Sequence, residues 1–148
     1  MSYNSTPHVC FKVERSLASD VEEFPRLLER QLRAQFDSVR VVRVGFLAPL
    51  AVELRTGAKT VPAVLGKSKY EADEWIFIVG PLKIPGLLDR LLGRKVNSEV
   101  SELMLTCRVI HEALTAMCGI TAVRWYFEGG GTQSSAVEAP DELPWPRE

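Results

Sequence analysis

From His8 onward apolar and polar residues alternate with a period of two: Val9, Phe11 and Val13 point one way, Cys10, Lys12 and Glu14 the other. That is the pattern of a strand with one covered face. The period then changes. Phe24, Leu27, Leu28 and Leu32 recur at helical spacing behind a Ser19–Glu22 capping box, which predicts a helix over residues 20–36. Pro25 falls inside it and is expected to kink the helix or to move its start.

Strand periodicity resumes in "SVRVVRVGF" at residues 38–46. Its break at Val41–Val42 suggests a bulge or two covered faces. "LAVELR" at 50–55 alternates cleanly, and "KTVPAVL" at 59–65 carries Pro62, which places it at a sheet edge. "WIFIV" at 75–79 is apolar on both faces, as a central, covered strand is.

The stretch "GPLKIPGLLDRLLGRK" follows, with Ile84, Leu87, Leu88, Leu91 and Leu92 on one helical stripe. Pro85 suits a first helical turn and Gly93 a stop, which leaves a helix roughly 13 Å long. Five aliphatic side chains are what one core-covering face needs, and they make a marginal membrane anchor. The longest helix is predicted over 97–118, capped at Asn97 or Ser98 and ended by Gly119. "TAVRWYFE" at 121–128 reads as a last strand, with Val123, Trp125 and Phe127 toward the core and Arg124, Tyr126 and Glu128 opposite.

This order of elements predicts an α+β fold, with an antiparallel or mixed sheet of about five to six strands and about three helices packed on one face. Residues 1–128 read as a single globular domain. Residues 129–148, rich in Gly, Ser and Pro, read as a flexible C-terminal tail.

Composition narrows the function more than it names it. The 148 residues carry 18 basic and 19 acidic side chains mixed along the chain, for a net charge of −1. Arg26, Arg30 and Arg33 align on one helix, yet Glu22 and Glu29 stand four residues before two of them as intrahelical partners. Nucleic acid is therefore not an expected partner. The N-terminus has no basic, then apolar, leader, and no apolar run approaches the ~20 residues of a membrane span. Three cysteines, an odd number inside predicted elements, suit reduced thiols and a cytoplasmic protein.

Candidate chemistry is thin. "LGKSKY" ends like a phosphate-binding loop, but Val61 stands where the first glycine is needed and Pro62 lacks an N–H. "HEALT" starts like a zinc-protease helix, but Thr115 replaces the second imidazole. Cys107 and His111 lie one turn apart and form at most half a metal site, since Cys118 falls about 16 Å along the helix from Cys107. No metal and no cofactor is expected.

Two functional readings follow. The first is a non-catalytic protein-interaction or self-associating module, using Leu87, Leu88 and Leu91 of the short helix and Trp145, held between two prolines. The second is a small-ligand-binding domain or enzyme, with a pocket between the long helix and the sheet centred on His111. Cys107, Arg108, Glu112 and Tyr126 are then its remaining polar lining.

Overall fold

The computed structural model of the chain describes residues 3–14, 23–42, 48–69, 71–80, 82–84, 97–129 and 132–145. In chain order they form β1 (Tyr3–Val13), α1 (Glu23–Gln35), β2 (Ser38–Val41), β3 (Leu50–Arg55), β4 (Thr60–Lys67), β5 (Glu74–Val79), β6 (Leu82–Ile84), α2 (Asn97–Ala116), β7 (Ile120–Gly129) and β8 (Thr132–Gln133), followed by a 3-10 turn at Pro140–Glu142. The strands make one antiparallel sheet in the order β2-β3-β4-β5-β1-β7-β8, with β6 beside the start of β1. Six of the strands are substantial, while β6 and β8 are only three and two residues long.

The α+β class and the antiparallel sheet agree with the sequence pattern. The helix count differs, because two α-helices, not three, occur among the described residues. The leucine-striped helix expected around Leu87, Leu88 and Leu91 falls outside the described residues. Among the described residues no helix is long and apolar enough to cross a membrane.

Both helices cover one face of the sheet. Phe24, Leu28 and Leu32 of α1 and Leu103, Cys107, Ile110 and Leu114 of α2 are buried against Val9, Phe11, Leu54, Leu65, Trp75, Phe77 and Trp125. Phe24 is the hub on α1, with ring contacts to Phe11 at 5.9 Å and Trp75 at 4.9 Å. Each large apolar side chain buried this fully contributes roughly 1.5–3 kcal/mol. Because α1 begins at Glu23, Pro25 lies in its first turn, where backbone N–H groups have no intrahelical acceptor. The proline therefore costs the helix no hydrogen bond, and no kink is required.

Two strand details depart from the sequence pattern. β4, expected at an edge because of Pro62, lies inside the sheet between β3 and β5. Pro62 is tolerated there because it sits at the end of the β4–β5 ladder, which runs from Ala63–Val79 to Lys67–Trp75. Its carbonyl still accepts the Gly80 N–H at 2.8 Å. On the β3 side it opposes Glu53 as a pair that exchanges no hydrogen bonds, because one residue's N–H and C=O point to the same neighbour.

The irregularity suspected at Val41–Val42 is absent from that position. Pairing with β3 runs without a shift through Val41–Val52, and the Val42 N–H continues it to the Ala51 carbonyl at 2.8 Å. The break lies instead in the β1–β7 ladder, between Cys10 and Lys12. There Phe11 opposes both Ala122 and Val123, and Ala122 takes a left-handed φ of 54°.

Candidate interaction face of the sheet

The residues singled out around the long helix are scattered by the fold. Cys107 is fully enclosed in the core, where burial pushes its thiol well above the ordinary range. Arg108 lies on the outer side of α2 and reaches Asp141 of the 3-10 turn and the Met104 sulfur. Glu112 is exposed. His111 makes a polar contact with the sheet: its Nδ1 accepts the Trp125 Nε1–H at 3.0 Å, which leaves its proton on Nε2. Burial holds this imidazole below its ordinary pKa, against the opposing pull of Glu112 and Asp141.

Tyr126 is not part of that group. Trp125 faces the helices, and neighbouring residues of a strand point to opposite faces, so Tyr126 lies across the sheet from His111. Among the described residues no three His, Cys, Asp or Glu side chains are grouped to hold a metal ion.

Trp145 is engaged by its own chain. Its Nε1–H donates to the Pro140 carbonyl at 2.7 Å, and its ring meets Phe127 edge-on at 4.8 Å between centroids. The segment expected as a tail makes further contacts on the way. Val137 exchanges two backbone hydrogen bonds with Trp125, both 2.7 Å, and Leu143 is buried in the core. The extended Pro-flanked segment can run beside β7 because the outer edge of that strand has free backbone groups past the two-residue β8.

The opposite face of the sheet holds a grouping that no single segment reveals. Ala51, Val64, Ile78, His8 and Tyr126 are successive register partners on β3, β4, β5, β1 and β7, so they form one row across five strands. None of them belongs to the face that carries α1 and α2, whose strand residues are the odd-numbered Val9, Val61 and Phe77 and the even-numbered Val52 and Leu54. Beside the row, Gly66, Ile76, Cys10 and Arg124 form a second one. On its other side stand Glu53, Pro62, Thr6 and Glu128.

At the β1–β7 end the row is closed by local contacts. The His8 and Tyr126 rings lie 5.0 Å apart, the Cys10 thiol donates to the Tyr126 oxygen at 3.4 Å, and His8 Nδ1 is 3.6 Å from Glu128 Oε2. Burial pushes the His8 pKa down, partly offset by Glu128. Burial also pushes the Cys10 thiol and the Tyr126 phenol up. All three are therefore uncharged at neutral pH. A thiol held protonated is a poor nucleophile. The cluster is suited to contact rather than to covalent chemistry.

Along the rest of the row exposure varies, and Ala51 at its β3 end is buried. Ile78 keeps 37% of its surface exposed at the middle of the row, and Val64 and Ile76 are half-buried. The other large exposed apolar side chains among the described residues, Val41 and Leu105, stand at the β2 end and on α2. Such scattered residues are ordinary on a protein surface, whereas an ordered apolar row is not. Charges mark the rim: Arg40 lies 3.9 Å from Glu53, and Lys12 is 3.1 Å from Glu71. Arg124 is exposed and has no ion-pair partner among the described residues.

The sequence carried one sign of this face. Ile76 and Ile78 make "WIFIV" apolar on both sides, which reads as a strand covered on both faces. Among the described residues, helices cover the Trp75, Phe77 and Val79 side. Compared with known proteins, the chain matches no family model, no curated protein and no solved structure.

Proposed function

We propose that this chain is a non-catalytic self-associating module, and that two copies meet through the face of the sheet opposite α1 and α2. The observation that carries this reading is Ile78, exposed at the centre of the row from Ala51 to Tyr126, with the half-buried Val64 and Ile76 beside it. A second copy suits the face because its free charges balance each other. Arg124 and Glu128 stand on the same strand, one on each side of the row, so the surface carries both signs needed to meet itself. Five strands spaced about 4.8 Å apart give a face roughly 20 Å wide, near the lower end of stable interfaces. The dimer is accordingly expected to be weak, with a dissociation constant on the order of micromolar.

Sedimentation velocity from micromolar to near-millimolar protein tests the reading. The expected result is a concentration-dependent dimer that Ile78→Lys abolishes while the thermal melt stays close to wild type, since position 78 already reaches solvent. A wild-type chain that stays monomeric throughout, or an Ile78→Lys variant that dimerises equally well, overturns it. The alternative, a ligand site at His111, draws its support from the imidazole Nε2–H that Trp125 leaves unused.

A further inference from the structure

Gly66 is the least explained residue on the face opposite α1 and α2. It lies within β4, which has neighbours on both sides, and glycine inside a strand costs roughly 0.5–1 kcal/mol relative to alanine. Backbone conformation does not call for it, since among the described glycines only Gly119 has a left-handed φ. Packing within the chain does not call for it either: a Cβ built at Gly66 meets nothing within 4 Å. A strand glycine with neither requirement marks a place where another backbone or side chain approaches closely. No described residue fills the space above Gly66, which is itself half-buried.

The same strand carries a shape that fits it. Pro62 is exposed, points to the same face, and lies two residues before Val64 as Gly66 lies two residues after it. Three strands away the arrangement recurs in charge. Arg124 lies two residues before Tyr126 and Glu128 two residues after, again on the same face. Val64 and Tyr126 both belong to the central row. A protrusion and a hollow, and a cation and an anion, are thus disposed symmetrically about one line.

From this we infer the register of the pair: two copies stack face to face about a two-fold axis that runs along the row, perpendicular to the strands. This rests on the self-association proposed above. The operation leaves each row residue opposite its own copy and exchanges positions two residues above and below it. Pro62 of each protomer enters the hollow at Gly66 of its partner, and Arg124 of each meets Glu128 of its partner. Strands of the two sheets then run antiparallel to within about 30°, the aligned packing of sheet on sheet. Because the contact is isologous, each complementary feature is used twice.

The charge pair permits a test by mixing. Arg124→Glu alone sets the introduced carboxylate against the native Glu128 carboxylate at both ends of the interface. Glu128→Arg alone sets the introduced guanidinium against the native Arg124 guanidinium at both ends. Each variant by itself is expected to dimerise at least about tenfold more weakly than wild type at low salt. In an equimolar mixture of the two, each of the two contacts sets one carboxylate of one protomer against one guanidinium of the other. Every contact is then attractive, and the mixture is expected to form a one-to-one pair of wild-type affinity.

Gly66→Val is the second arm. It has room within its own chain, so its melting temperature is expected to be unchanged or raised while dimerisation is lost. Recovery in the mixture together with loss in Gly66→Val supports the register. If wild type dimerises and Ile78→Lys does not, yet the mixture fails to recover or Gly66→Val dimerises normally, the register is overturned while self-association stands. A monomeric wild-type chain overturns both.

Discussion

The Trp125 indole N–H donates to Nδ1 of His111 at 3.0 Å, and this single bond ties the last long strand to the long helix. Trp125 has no exposed surface, so its N–H has few alternative partners. Trp75 is equally buried, but its Nε1 has no hydrogen-bond partner among the described residues. The two tryptophans therefore predict different costs for the same substitution. Trp125→Phe loses ring volume and a hydrogen bond, whereas Trp75→Phe loses volume and removes an unpaired donor. Urea unfolding is expected to show Trp125→Phe as the more destabilising by about 1–2 kcal/mol. Equal costs would show that the indole–imidazole bond contributes nothing net.

Two partly buried histidines make stability depend on pH. His111 and His8 both have folded-state pKa values below the ordinary 6.5, with burial the main cause in each. Between the lowered values and 6.5 the unfolded chain binds more protons than the folded one. Stability therefore falls as pH drops through that window and levels off below it. His111→Asn keeps an acceptor close to the Nδ1 position and removes the titration. Denaturation midpoints measured between pH 7 and pH 5 are expected to fall less steeply for this variant than for wild type. An unchanged slope would remove His111 from the account.

Ala122 sits in the β7 bulge with a φ of 54°, a conformation that an L side chain adopts at a cost. Its side chain is exposed, so little packing is at stake. Ala122→Gly is expected to raise stability by up to about 1 kcal/mol, read as a higher denaturation midpoint at unchanged m-value.

Trp145 holds the C-terminal segment by its edge-on contact with Phe127 and its bond to the Pro140 carbonyl. Trp145→Ala is expected to cost about 2 kcal/mol, less than a fully buried tryptophan because the ring is only half-buried. The Trp125 and Val137 amides, which bond each other's carbonyls, should then exchange with solvent faster than in wild type. Unchanged protection of these two amides would show that the segment is held without Trp145.

Pro62 and the row opposite the helices α1 and α2 show where legibility stopped. A proline is a local signal for an edge, yet β4 lies inside the sheet because the missing N–H falls at the end of one ladder. The row required the register of four strand pairs at once, and its members are as distant in sequence as His8 and Tyr126. Among the expected site residues, Cys107, Arg108 and Glu112 followed the helix period correctly. Whether they faced core, solvent or pocket depended on what packed against α2.

By itself the sequence determined the α+β class, one helix nearly to its ends, the long helix, and the inward side of most strands. Those properties follow from local periodicity, since a half-buried strand or helix must carry its apolar residues at period two or 3.6. Only the tertiary structure decided that Trp145 returns to Phe127, that His111 takes the Trp125 indole N–H as its partner, and that five strands align one row. Contacts of that kind are set by pairing between segments far apart in the chain, and a one-residue change of register would present a different face altogether.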